Sequence, residues 1–105
     1  LNKYDKFITI LGLENMQSVP LKYFSAGNLQ RNKLLIALNL DWKYLFIDEP
    51  FSNLDDKGVS VFKTIFLNLK TQNKTILFST HNFSSISDIC DKSMSIKDGK
   101  IYYND

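Results

Sequence analysis

Tyr44-Leu45-Phe46-Ile47-Asp48-Glu49-Pro50 is the stretch that decides how this chain folds. Four consecutive apolar residues give way, without a break, to two carboxylates and a proline. An uninterrupted apolar run of that length predicts a parallel strand covered on both faces. Thr75-Ile76-Leu77-Phe78-Ser79 repeats the pattern further along and ends at Thr80-His81. In open parallel sheets, ligands sit beyond the carboxyl ends of the strands. Asp48-Glu49 and Thr80-His81 are therefore predicted to be neighbours in space.

Between the two runs, Asp55-Asp56 can cap a helix in which Phe62, Ile65, Phe66 and Leu69 keep helical spacing. Upstream, Tyr4, Phe7, Ile8 and Leu11 fall at i, i+3, i+4 and i+7, and Gly12 stops that short amphipathic helix. Val19-Pro20 breaks the chain, because a residue before proline avoids helical geometry. Ser25-Ala26-Gly27-Asn28 then opens a run to about Asn39 that is apolar almost all round from Leu34 to Leu38, which predicts a helix buried on most sides. Downstream, Phe83, Ile86, Ile89 and Cys90 predict one more helix. Asp98-Gly99 between Ser93–Lys97 and Lys100–Tyr103 is a two-residue hairpin signal. The order helix, strand, helix, strand, helix, hairpin predicts an α/β layer fold with parallel central strands flanked by helices.

The 105 residues suit one small domain. A net charge of +2 with no Lys/Arg cluster argues against a nucleic-acid partner. The longest apolar runs reach five residues, Leu34–Leu38 among them, whereas a membrane span needs roughly 20. Cys90 is the single cysteine, so no internal disulfide forms, which suits a reducing compartment. No signal-peptide pattern opens the chain, and Leu1 in place of Met predicts processing or excision from a longer sequence.

Three clusters carry chemistry. Asp48 and Glu49 at a strand end suit a magnesium nucleotide: the first can hold the metal, often through water, and the second can orient and deprotonate an attacking water. The same pair also fits two solvated loop carboxylates. Ser25-Ala26-Gly27-Asn28 places free backbone N–H groups and a helix dipole together, which is an anion site or a plain helix cap. His81, the lone histidine, can donate to a phosphate or serve structure; neither it nor Cys90 has partners at metal-ligand spacing. Ser52-Asn53-Leu54-Asp55 reads first as a turn rich in capping groups.

Taken in order, these pieces resemble the ATP-binding cassette (ABC) family from about Leu11 to Tyr103. Phe24-Ser25-Ala26-Gly27-Asn28, trailed by Gln30-Arg31, resembles the family's signature motif. Tyr44–Asp48 resembles the Walker B strand, Glu49 the adjoining catalytic glutamate, Ser52–Asp55 the D-loop and Ser79-Thr80-His81 the switch-histidine strand. Lys97-Asp98-Gly99-Lys100-Ile101 resembles the hairpin that follows. The resemblance implies a partial P-loop NTPase fold of the ABC type, the C-terminal half of one ATPase domain. A signature-helix region occupies about 1–41, and the Walker B to switch-histidine core with its hairpin about 42–105.

Two departures stand out. Ala26 and Asn28 replace the usual glycine and glutamine of the signature, and no Gly-x-x-x-x-Gly-Lys-Ser/Thr phosphate loop occurs. Neither the glutamine loop nor the adenine-stacking aromatic is recognisable. Ser-Ala-Gly in the signature and Asp48-Glu49-Pro50-Phe51 with Asp55-x-x-Gly58-Val59 further resemble the ATP-binding subunit of the haem exporter of cytochrome c maturation.

The family mechanism implies ATP and Mg²⁺ as cofactors and two cassettes closing head to tail. Ser25, Ala26, Gly27 and Asn28 would meet nucleotide on the partner cassette, and Asp55 would line the seam. Asp48 would serve magnesium, Glu49 the water and His81 the γ-phosphate. The expected partners are a second ATPase domain and transmembrane permease subunits, at the cytoplasmic face of a membrane. An inactive fragment, or a soluble ABC protein of translation or DNA repair, would carry the same motifs.

Overall fold

The computed structural model describes residues 3–104. Helix α1 (Lys3–Ile10) turns Ile8 inward, and Leu11 and Leu13 continue that buried stripe past its end. Gly12 takes the left-handed conformation, φ +71°, that closes the helix. A single 3₁₀ turn, Leu21–Tyr23, follows Pro20 and leads into α2 (Ala26–Asn39). Then come β1 (Tyr44–Ile47), α3 (Asp56–Thr71) and β2 (Thr75–Phe78), a β-α-β unit. The strands pair in parallel, from Tyr44 opposite Thr75 to Ile47 opposite Phe78. A hairpin of β3 (Ser93–Lys97) and β4 (Lys100–Asn104) ends the described chain. Its turn residues Asp98 and Gly99 both have positive φ, +51° and +74°, as a type I′ turn requires.

The core lies between the helices and one face of the two-stranded sheet. Phe62, Ile65, Phe66 and Leu69 of α3 meet Leu34, Leu35 and Leu38 of α2 and Ile8 of α1. Phe51, Phe62, Phe66 and Phe78 interlock with ring centroids 5.4–6.5 Å apart, in tilted or edge-on pairs that aromatic rings favour. At the other end of the sheet, Lys74 fixes the strand starts. Its Nζ donates to the Trp42 carbonyl at 2.6 Å and lies 4.5 Å from the Trp42 ring centre. Two ion pairs, Lys63–Asp88 and Lys70–Asp91, each at 2.9 Å, bind α3 to the segment after β2.

Three expectations from the sequence need correction. The strands are covered on one face only: Phe46 is 75% exposed and Tyr44 61%, with Leu77 beside them on the same face. Only the opposite face, with Ile76 and Phe78, packs on the core. Helix α2 is likewise buried on one side, with Ile36 turned outward at 55% exposure. Third, the segment carrying Phe83, Ile86 and Ile89 forms two 3₁₀ turns, Phe83–Ser85 and Ser87–Ile89, rather than an α-helix. Its short polar side chains satisfy local groups instead. Ser84 Oγ donates to Asn82 Oδ1, Ser85 Oγ to the Asn82 carbonyl and Ser87 Oγ to the Ser84 carbonyl. Such bonds compete with a helical ladder. Ile86 and Ile89 still reach the interior. Cys90 sits half-buried beneath them, and burial pushes its thiol pKa up.

The open face of Tyr44, Phe46, Thr75 and Leu77 generates a direct expectation. Apolar patches beyond a few hundred Å² promote association. Expressed as these 105 residues alone, the chain binds a hydrophobic dye and self-associates, and Phe46→Ser with Leu77→Ser reduces both. Dye fluorescence with light scattering is the measurement. A dye-silent monomer overturns the expectation.

Candidate functional site

The site grows from the backbone just past β1. Asp48 and Glu49 follow Ile47 directly, and Glu49 takes φ +48°, a left-handed value that few side-chain-bearing residues adopt. Such a conformation costs on the order of 1–3 kcal/mol and persists only where its surroundings hold it. Here every backbone polar group of Glu49 is held. Its N–H donates to Ser79 Oγ at 2.9 Å. Its carbonyl accepts from Gln30 Nε2 at 2.7 Å, from Ser52 Oγ at 3.0 Å and from the Ser52 N–H at 3.2 Å. Pro50 behind it is fully buried, and Phe51 enters the aromatic cluster.

The neighbouring strand completes the cluster. Parallel register sets Ser79 beside the end of β1, where its N–H donates to the Ile47 carbonyl at 3.3 Å. Its hydroxyl then donates to Asp48 Oδ1, so one side chain touches both carboxylate-bearing residues. Two residues on, His81 Nε2 lies 3.1 Å from Glu49 Oε1. The histidine side chain is 95% exposed and the glutamate 24%. A largely covered carboxylate faces a freely accessible imidazole, at the strand ends where the sequence placed them as neighbours.

The second cluster sits at the start of α2. Ser25 is its N-cap and accepts from the Asn28 N–H at 3.1 Å; Ser25 and Ala26 are exposed. At Gly27 a Cβ would lie 2.8 Å from the Asn53 carbonyl oxygen, so only glycine lets the helix approach the loop after β1 so closely. Asp55 caps α3, accepting from the Gly58 N–H at 2.8 Å, and its Oδ1 lies 3.6 Å from Arg31 Nη2. Arg31 Nη1 in turn donates to Asn28 Oδ1 at 3.5 Å. Arg31 thus ties α2 to the cap of α3.

Among the described residues no hydrogen bond joins Ser25, Ala26, Gly27 or Asn28 directly to Asp48, Glu49 or His81. Gln30 makes that link. It is the buried polar side chain of the described core, 8% exposed. The motifs place Gln30-Arg31 after the signature and Ser79 in the switch-histidine strand, but assign none of the three a contact. Gln30 had a signal, since it occupies the i position of the inward stripe Gln30, Leu34, Leu38, where an apolar residue belongs. Ser79 had none, because its partners come from another strand.

For a metal, the described residues hold no cluster of three His, Cys, Asp or Glu side chains. Mg²⁺ does not require one, since it keeps most of its water and takes one or two carboxylates with substrate phosphates. Asp48, exposed at the strand end and steadied by the Ser79 hydroxyl, fits that use.

A parallel β-α-β unit with Asp-Glu at one strand end and a histidine at the next, together with the capped α2 and the antiparallel hairpin, is consistent with a partial ATP-binding cassette ATPase fold. Relatives agree. Over 96 residues, 91% of the chain, it is 36% identical to a protein of Listeria monocytogenes named as an ABC transporter ATP-binding protein. An uncharacterized ABC transporter ATP-binding protein of Methanocaldococcus jannaschii is 32% identical over 91% of the chain. The lantibiotic transport ATP-binding protein SrtF of Streptococcus pyogenes is 35% identical over 87%. The chain spans 36%, 37% and 40% of the lengths of these three relatives. No family model matches it. Its homologues are ABC transporter ATP-binding proteins, which supports assigning these residues to an ABC ATPase domain.

The tight approach at Gly27 can be tested in the complete gene product. Gly27→Ala drives a Cβ against the backbone at Asn53, so α2 and the loop must separate. Overpacking of this kind costs about 1–3 kcal/mol. The denaturation midpoint falls accordingly, whereas Ala26→Gly, at an exposed position, moves it far less.

Proposed function

We propose that this chain is the signature and hydrolysis portion of an ABC transporter ATPase domain, the C-terminal half in which 1–41 carry the signature helix and 42–105 the Walker B to switch-histidine core. The observation that carries the proposal is the 3.1 Å approach of His81 to Glu49 beyond the carboxyl ends of two adjacent parallel strands. That arrangement suits water attack on a terminal phosphate, with a base and a phosphate-contacting donor side by side.

In this scheme Glu49 orients the attacking water and takes its proton. Its backbone is held by Gln30, Ser52 and Ser79, and its carboxylate lies against His81. His81, largely exposed, donates a hydrogen bond to the γ-phosphate. Asp48 would hold magnesium through a water of the ion's own shell, and the ion would supply positive charge against the bound phosphates. Ser25, Ala26, Gly27 and Asn28 present the start of α2 to the nucleotide on a second cassette in a head-to-tail dimer. The exposure of Ser25 and Ala26 supports that role. Asp55, exposed and 3.6 Å from Arg31, lines the seam.

Among the described residues no helix is long and apolar enough to cross a membrane. Transport would then run through permease subunits, with this domain peripheral at the cytoplasmic face. A relative named for lantibiotic transport favours a transporter over a soluble ABC protein of translation or DNA repair. The relatives' names do not support the narrower haem-exporter resemblance.

Two outcomes test the proposal. The 105 residues alone bind MgATP only weakly, because a few γ-phosphate contacts do not replace a phosphate loop; calorimetry giving micromolar affinity, about −8 kcal/mol, overturns this. In the complete gene product, Glu49→Gln keeps shape and reach but removes the base. Turnover falls about 10²-fold or more while ATP binding survives, and the closed dimer accumulates on size exclusion. Near-normal turnover in that variant excludes Glu49 as the base.

A further inference from the structure

Gln30 is a buried polar residue whose side-chain hydrogen bonds go to the turn that carries Glu49. An amide placed in a core costs free energy unless its hydrogens find acceptors. The Gln30 Nε2 group meets the Glu49 carbonyl at 2.7 Å and the Pro50 carbonyl at 3.2 Å, with Ser52 Oγ at 3.3 Å. The two carbonyls are successive groups of the backbone that holds φ +48° at Glu49, and the Ser52 hydroxyl itself donates to the first of them. A core glutamine serving packing alone could bond any nearby backbone. This one grips the residue whose backbone is strained and whose side chain faces His81.

We propose that Gln30 is a positioning residue for hydrolysis: its amide holds the Glu49 carbonyl so that the Glu49 carboxylate stays in the orientation required for attack. The inference rests on the assignment of Glu49 as the base. The physical consequence is specific. Without the two amide hydrogens, the Glu49 and Pro50 carbonyls lose buried donors, and the left-handed turn loses one of the contacts that offset its cost. The carboxylate then samples other directions. A misplacement of about 1 Å can lower a rate on the order of 10²-fold without touching substrate affinity.

The experiment uses the complete gene product, with steady-state ATP turnover and equilibrium binding of a fluorescent ATP analogue. Gln30→Leu keeps the volume and removes the donors. The expected result is a kcat lower by roughly 10- to 100-fold with KM for ATP and analogue affinity within about twofold. Combined with Glu49→Gln, the same substitution adds less than about twofold further loss, because the two residues act on one step. A kcat within about twofold of the unmodified protein, with Glu49→Gln impaired, overturns the role of Gln30 and leaves the base assignment standing. Losses that multiply in the double variant, or a parallel change in kcat and KM, also overturn it, since they mark packing alone. Normal turnover in Glu49→Gln overturns the base assignment itself, and the positioning role with it.

Should Gln30→Leu fail to fold, Gln30→Glu decides. A carboxyl buried against carbonyl oxygens has a raised pKa and donates only when protonated. Its turnover relative to the unmodified protein therefore rises as pH is lowered from about 8 to about 6, as the donor is restored. A flat ratio overturns the proposal.

Discussion

The turn that follows β1 is the constraint on which the rest of this structure depends. At Glu49 the backbone swings into a left-handed conformation, and it is held there from three directions. Gln30 reaches it from α2, Ser79 from β2, and Ser52 from the loop beyond. Pro50 and Phe51, immediately after it, are locked into the interior and the aromatic cluster. A residue whose conformation is unfavourable alone is thus set by elements far apart in sequence. Loosening any of them weakens the geometry of the same carboxylate.

That constraint also explains why the helices pack as they do. For Gln30 to reach the Glu49 carbonyl, α2 must lie close against the loop from Phe51 to Asp55. Gly27 makes the approach possible at the helix start, where a side chain would strike the Asn53 carbonyl. Arg31, one residue past Gln30, spans from Asn28 to Asp55 and so joins the starts of α2 and α3. This exposed contact is long, at 3.6 Å, and contributes little by Coulomb attraction alone. Burial of Leu34, Leu35 and Leu38 against Phe62 and Phe66 holds the two helices together. The polar contacts set their register.

The sheet shows the opposite situation, with one face packed and the other bare. Two parallel strands joined by a single crossover helix can be covered only on the side where that helix lies. Ile76 and Phe78 use the covered side, while Tyr44, Phe46 and Leu77 face outward. Continuous apolar strands belong to sheets with two covered faces. The described residues supply one cover, and the relatives, of which the chain spans roughly two fifths or less, are long enough to supply another.

Much of this was legible in the sequence, because it depends on local rules. The short apolar runs that end at Asp48-Glu49 and Thr80-His81 specify the two parallel strands, the spacing of Phe62, Ile65, Phe66 and Leu69 specifies α3, and Asp98-Gly99 specifies a hairpin turn through the positive φ it tolerates. The closeness of Glu49 to His81 also followed, since parallel neighbours share their carboxyl ends. Other features were not legible. Whether Tyr44 and Phe46 are covered depends on what packs above them, which their own residues do not encode. Whether the serine-rich segment after His81 forms α-helix or 3₁₀ turns depended on a competition between side-chain and backbone acceptors. The roles of Gln30 and Ser79 depended on partners 19 to 31 residues away. Local chemistry determined the elements and the candidate carboxylates. Only the tertiary structure decided how Glu49 is held, because its backbone hydrogen bonds come from α2 and β2, which meet it only in the folded chain.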